Sequence, residues 1–407
     1  MNVLLIPFWI LALSTSGFAA TQVFSLAELQ KRALENSNLI RSKLAHVQAE
    51  EALAQQSGVY SNPSLNIQGG TMKSGGSSGP LLDVTLGQTI PFPGKKSLME
   101  RINELKTHIA DSDHQQTRLL VQHAVTLSAL RLAVLRELSK HSLERQSRFK
   151  LILGYLKSHP QASPSQKIES GLIENQIRIL EKGILELNQD RLIAMSELGF
   201  FVQMETPPEV QFEWISRARL PVKSELEKQI FGASYLWKKK EKEVEAAAVE
   251  LKLAKLSYLP DFGLAVNYRQ ERVLPPNHFY SGGLTVSIPL WDHGQHVVPA
   301  AQAKLVSEES AQSFARSQLS QELEEAWIRV NSTQQVLELF PLKLVLDSEK
   351  KFEQAETEFK RGRIGTAVFL QTDAQIHETL DTIYQTQIQL VQNLRRLLLL
   401  ASRPLEW

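Results

Sequence analysis

The sequence predicts a mostly α-helical chain with four β-strands, built from a helix–hairpin–helix–helix unit used twice. Three observations predict it. Tyr60 and Tyr258 stand 198 positions apart (258 − 60), and so do Ile90-Pro91 and Ile288-Pro289 (288 − 90), which makes the stretches near 62–92 and 260–291 copies of one hairpin. The apolar series Ile173, Ile177, Leu180, Ile184, Leu187, Ala194, Leu198 returns 203 positions later (376 − 173) as Ile376, Leu380, Ile383, Gln387, Leu390, Leu397, Ala401. Its steps of four and three are the 3.5-residue period of helices wound left-handedly around one another.

Each hairpin arm alternates. Leu82, Val84 and Leu86 oppose Asp83, Thr85 and Gly87, and Phe262, Leu264, Val266 and Tyr268 oppose Asp261, Gly263, Ala265 and Asn267. Leu284, Val286, Ile288 and Leu290 oppose Gly283, Thr285, Ser287 and Pro289 in the same way. Side chains alternate across a strand, so each arm has one apolar face and one small, polar face. Such strands suit a soluble sheet on a core or a membrane barrel with lipid outside and water inside. The arms are about 9–11 residues, the length of a tilted membrane-spanning strand. Tyr60, Phe92, Tyr258, Phe279, Tyr280 and Trp291 lie near their ends, where amphipathic rings favour a membrane interface.

In chain order, the apolar stretch Val3–Leu13 followed by small residues up to Ala19 and Ala20 reads as a secretory leader, residues 1–19. No later segment shows the roughly 18 apolar residues of a transmembrane helix, so membrane insertion is expected by strands. Ser25-Leu-Ala-Glu28 reads as a capping box opening a helix to about Gln56. After the first hairpin, 95–157 has no Pro and one Gly, which predicts a single helix roughly 90 Å long. A helix over 165–198 closes the first repeat, residues 20–205. Thr206-Pro-Pro208 opens a linker over 206–221, and the second repeat occupies 222–407. Ile230, Ala233, Trp237, Val244, Ala247, Leu251, Ala254 and Tyr258 carry the helical beat into the second hairpin. Pro299 falls in the first turn of the next helix, where Pro is tolerated, and Pro341 is expected to divide that helix.

Composition narrows the chemistry. A net charge of +1 is too balanced for a nucleic-acid binder, and the absence of Cys removes thiolate metal sites, a cysteine nucleophile and disulfides. Asp292-His293-Gly-Gln-His296 has metal-ligand flavour, yet His293 and His296 lack a third ligand, so a solvated loop is the expectation and no cofactor is implied. Glu308-Glu309 and Glu324-Glu325 are sequence neighbours that diverge on a helix, and Ser74–Gly79 lacks the Lys of a phosphate loop and reads as a flexible hairpin tip. No nucleophile–base arrangement is present, so the chain is not expected to be an enzyme.

Four strands cannot close a membrane barrel, since single-chain barrels begin at about eight. An open sheet in lipid would leave edge N–H and C=O groups unpaired at several kcal/mol each. Strands placed in a membrane therefore demand a ring of identical subunits. With Asn62-Pro63 and Leu259-Pro260 opening strands, Gln88-Thr-Ile-Pro91 and Val286-Ser-Ile-Pro289 closing them, and Phe359-Lys-Arg-Gly362 before the last turn, the plan resembles the TolC family of outer-membrane efflux proteins across 20–407. The short linker looks most like the cation and heavy-metal branch of that family. The resemblance implies a homotrimer, with a twelve-stranded barrel in outer-membrane lipid and an α-helical barrel across the periplasm of a Gram-negative-type cell. It also implies an exit duct for efflux or type I secretion, docked to a periplasmic adaptor (membrane fusion) protein and an inner-membrane pump. Family members carry two aspartates three apart after the Gly turn; here those positions are Val368 and Gln371, so the expected constriction is Val368, Phe369, Gln371 and Asp373. Arg361, Gly362, Arg363 and Gly365 are the expected adaptor-docking turn. The alternative from the residues alone is a soluble secreted coiled-coil scaffold or periplasmic adaptor with a small β-domain.

Overall fold

The computed structural model describes residues 23–405, apart from 75, 159–163, 205–208, 212, 216, 219, 221, 273–276, 289, 292 and 293. The expected leader and His293 lie outside the described residues, as do residues 159–163 between the third and fourth helices. The chain runs β1 (Val23–Ser25), α1 (Leu26–Asn36), α2 (Asn38–Ser57), β2 (Ser64–Ser74), β3 (Ser77–Ile90), α3 (Lys95–Lys157) and α4 (Pro164–Val202). It continues through β4 (Glu209–Gln211), α5 (Lys223–Ala233), α6 (Tyr235–Lys255), β5 (Phe262–Glu271), β6 (Asn277–Val286), α7 (Val297–Leu339), α8 (Lys343–Lys360) and α9 (Thr366–Leu400). Two compact units form, one from 1–32 with 128–213, the other from 33–127 with 214–407.

In the first unit the capping box is made. The Ser25 N–H donates to Glu28 Oε2 at 2.8 Å, and Glu28 N–H donates to Ser25 Oγ at 3.3 Å. β1 pairs in parallel with β4, Phe24 opposite Val210. The second half of α3 runs antiparallel to α4. Arg131 meets Glu197 at 3.4 Å, Gln146 meets Glu181 at 3.1 Å, and Lys157 pairs with Glu174, so contacts descend one helix as they climb the other. Ile173, Ile177, Leu180, Ala194 and Leu198 of the predicted stripe are buried, while Ile184 and Leu187 are half-buried.

The second unit repeats that packing with breaks the sequence reading did not place. The helix expected over 26–56 is divided at Ser37, whose extended backbone (φ −62°, ψ 117°) lets its hydroxyl accept from Ile40 N–H at 3.4 Å. The beat through 230–258 is likewise divided at Ser234. Its Oγ accepts from Trp237 N–H at 3.2 Å and donates to Ile230 O at 2.6 Å, leaving Ala233 exposed. A serine that caps a new helix this well ends the old one. Pro341 separates α7 from α8 as expected, since it has no N–H to continue the ladder. α6 lies antiparallel to the first half of α3, with Ala246 and Val249 against Ile102 and Leu105. Lys239 to Asp113 (2.8 Å) and Arg101 to Glu245 (2.5 Å) flank that contact.

The expectation that no later segment is apolar enough to span a membrane needs correction. α3 does hold an 18-residue window of mean hydropathy 1.3, apolar enough to cross a membrane, but 61% of that window is buried within the protein. Its many uncharged Ser, Thr, Gln and Ala residues hide it from a search for unbroken apolar runs. Gln387, polar in the middle of the α9 stripe, is fully buried because its amide closes on one backbone unit. Oε1 accepts from Ile215 N–H at 3.0 Å and Nε2 donates to Ile215 O at 2.9 Å.

Candidate functional site

β2, β3, β5 and β6 form one antiparallel sheet in that order, within the second unit. β3 joins the hairpins, Leu86 opposite Val266 and Val84 opposite Tyr268. Residues directly opposite share a face, so the alternation of single arms adds into two continuous surfaces. On one lie Leu65, Ile67, Leu82, Leu86, Leu264, Val266, Tyr280 and Leu284, and all are exposed; Val266 keeps 66% of its surface and Tyr280 78%. On the other lie Asn66, Gln68, Asp83, Thr85, Gly263, Ala265, Asn267, Arg269, Ser281 and Gly283. A soluble sheet hides its apolar face; this one shows it.

The polar face is wired across strands. Asn267 Nδ2 donates to Asp83 Oδ1 and, at 2.7 Å, to Thr85 Oγ1, and Arg269 Nε donates to Asp83 Oδ2 at 3.0 Å. At the base, one carboxylate seams the hairpins together. Asp261 Oδ1 accepts from Phe92 N–H at 2.8 Å and Lys95 Nζ at 2.9 Å, while Lys95 also donates to Leu259 O at 2.7 Å. The Phe92 and Phe262 rings stack beside it, 6.2 Å apart. Sequence reasoning put Asp83 and Asn267 on the polar side but missed their pairing and the seam, because both need the register between hairpins.

The strand ends differ from expectation. β6 stops at Val286, so the alternation read through Leu290 is not strand, and Trp291 stands 84% exposed beyond it. A proline at 289 has no N–H for the ladder. At the other end β2 and β3 stay paired up to Ser74 and Ser77, so the tip expected at 74–79 is shorter than read, and Gly76 adopts φ +85°.

A second feature sits where α8 turns into α9. Gly362 adopts φ +71°, its N–H donates to Phe359 O at 2.9 Å, and Arg363 N–H donates to Glu358 O at 2.9 Å. Those paired bonds with a left-handed residue between them are a Schellman stop, which favours glycine. Both predicted arginines are exposed and anchored on one carboxylate, Arg361 to Glu358 Oε1 at 3.0 Å and Arg363 to Oε2 at 3.1 Å. Gly365 precedes α9 with open space where a side chain would stand.

The four expected constriction residues split. Val368 and Gln371 are exposed, but Phe369 is fully buried, its ring 5.1 Å from Phe359 and 5.6 Å from Phe352, and Asp373 is only 2% exposed. Phe369 thus packs against α8, and neither it nor Asp373 presents its side chain at the surface of the chain. His296 is exposed before α7, and no group of three potential metal ligands occurs among the described residues.

No family model and no curated sequence matches the chain. Solved structures do. The open state of the MtrE outer-membrane channel of Neisseria gonorrhoeae superposes with a TM-score of 0.78 at 13% identity, over 94% of this chain and 89% of that one. The outer-membrane channel OprN gives 0.77 at 12% identity over 93% and 89%. The chain has the TolC-family fold. The Campylobacter jejuni CmeC outer-membrane channel adds 0.75 at 12% identity, over 93% and 85%. Identity this low makes the likeness one of backbone rather than of side chains.

Proposed function

We propose that the chain is the outer-membrane exit duct of a tripartite efflux or type I secretion system. Three copies close their sheets into a twelve-stranded barrel in outer-membrane lipid, and their helices extend as a tunnel into the periplasm. The observation that carries this is the sheet: an exposed apolar face, a wired polar face, and outer edges on β2 and β6 with no partner strand among the described residues. Lipid against the first face, water against the second and neighbouring copies on the edges satisfy all three at once. The fold shared with outer-membrane channels supports the same reading.

In this reading residues 1–19 direct export, 20–205 and 222–407 are the two repeats, and 206–221 links them. Transport is passive, driven by an inner-membrane pump through a periplasmic adaptor. The adaptor docks on the turn of Arg361, Gly362, Arg363 and Gly365, where Glu358 holds two guanidinium groups ready for carbonyl or carboxylate acceptors. The constriction narrows to Val368 and Gln371, which present their side chains outward from α9.

Cell fractionation, mild detergent extraction and a mass measurement test the assignment. A trimer recovered only from the detergent extract of the outer membrane is expected. A monomer or dimer free in the periplasm overturns the duct and returns the sheet to a soluble scaffold.

A further inference from the structure

Within the second unit, α7 and α9 hold a groove of about 920 Å³ between them, with Leu127 of α3 also in its wall. Arg329 and Ser332 line it from α7, and Gln389, Gln392, Arg395 and Arg396 line it from α9. Asn393 Nδ2 closes part of the wall by donating to Thr333 Oγ1 at 2.9 Å. No Asp or Glu lines the groove, and among the described residues none of the three arginines has an ion pair within the chain. That sets them apart from Arg101, Arg131, Arg269, Arg361 and Arg363, each matched to a carboxylate.

Arg395 is the telling member. Its Nε is buried without a hydrogen-bond partner, whereas a buried guanidinium N–H ordinarily has one. Burial, then the neighbouring Arg396 charge, disfavour its cationic form. Leaving a buried charged donor unmet is costly, and three like charges around one concavity focus a positive potential on whatever enters. The polar residues are also placed as a set. Gln389, Gln392 and Arg396 follow helical spacing on α9, and Arg329 and Ser332 do so on the facing side of α7.

We propose that this groove is a binding site for a small solute bearing an oxyanion, a carboxylate or a phosphate, held by Arg395 and Arg396 with Arg329 across from them. Guanidinium groups match such anions with paired N–H bonds, and the carboxamides and Ser332 supply further donors to a polar body. The volume is that of a small-molecule site. The inference is argued from side chains of α7 and α9 and does not rest on the channel reading.

The test is calorimetric titration of the full-length chain in mild detergent at low salt, with inorganic phosphate and citrate as separate probes. At least one should bind saturably at one site per chain, and weaken about tenfold or more in Arg395→Gln and in Arg396→Gln. Arg396 is exposed, so its replacement leaves the packing of α9 intact even where Arg395→Gln disturbs it. Arg396→Lys should retain an intermediate affinity, because the charge remains while the paired geometry is lost. Failure of both probes to saturate, or unchanged affinity in Arg396→Gln, overturns the site. It is equally overturned if the wild-type chain binds neither probe and the glutamine variants change the particle mass, since the arginines then hold a neighbouring copy instead.

Discussion

Val266 and Gly283 lie one register position apart in the middle of the sheet, on opposite faces: Val266 pairs with Gly282, and Gly283 with Ala265. β5 has ten residues. At about 3.3 Å each and a tilt of about 40°, such a strand rises roughly 25 Å, the height of the apolar band of a membrane barrel. Val266, fifth in β5, then sits near the midplane. Arginine there costs about 2–4 kcal/mol per chain on the lipid face, so three copies closing one barrel lose about 6–12 kcal/mol. Arginine at Gly283 points the other way, into water, and a Cβ built there meets nothing within 4 Å. Val266→Arg should therefore abolish assembled oligomer in the outer-membrane fraction, while Gly283→Arg leaves it near wild-type. The readout is the amount of detergent-extracted oligomer of full mass. Equal assembly of both variants, or a worse defect at Gly283, refutes the assignment of faces and with it the barrel.

Three further outcomes follow from the geometry. His123 is fully buried; a carbonyl only accepts, so its Nε2 carries the proton donated to Arg403 O at 3.0 Å. Burial, reinforced by the Arg395 charge, lowers its pKa from 6.5 to about 4, so the stability it protects is complete above about pH 6.5 and is lost as pH falls toward 4. That loss is about 2 kcal/mol at pH 5. The melting temperature should drop more between pH 7.5 and 5 in the wild type than in His123→Gln, and an identical drop in both removes His123 from the account. Phe369→Ala, which empties the space between Phe352 and Phe359, should cost about 3–5 kcal/mol of stability in thermal unfolding, against less than about 0.5 for exposed Val368→Ala. A double change of Arg361 and Arg363 to Ala should abolish efflux-dependent resistance while the extracted particle keeps its mass; normal efflux rules out docking at this turn.

The sequence carried the parts of the fold that repeat. Alternation in Leu82–Leu86 and Phe262–Tyr268 named both sheet faces correctly, since a strand has only two sides and one residue of slip would have reversed them. The 63 residues of α3 were plain from uninterrupted helix formers. Hidden from it were the features that depend on two distant segments meeting. Asp261 reads as one more polar residue before a strand until Lys95 and the Phe92 N–H arrive at the same oxygen. Ser37 and Ser234 read as ordinary helix interior, because a serine declares itself a cap only when its backbone is extended.

Phe369 and Asp373 show what the helical period adds to a counted motif. Counting from Gly362 reaches Val368 and Gln371; Phe369 and Asp373 join the expected constriction only as their neighbours in sequence, and the period sets those two apart. Steps of three and four run back from Leu380 through Ile376 to Asp373 and Phe369, which extends the buried stripe of α9 to its first turn. Val368 and Gln371 fall outside that stripe and are exposed. Arg395 and Arg396 fall outside it too, between Leu394 and Leu397, which is why they reach a groove and not the helix seam. A counted motif says which residue occupies a position. The period says which side of the helix that position faces, and on a long helix with a packed side and a wet side, facing decides what a residue can do.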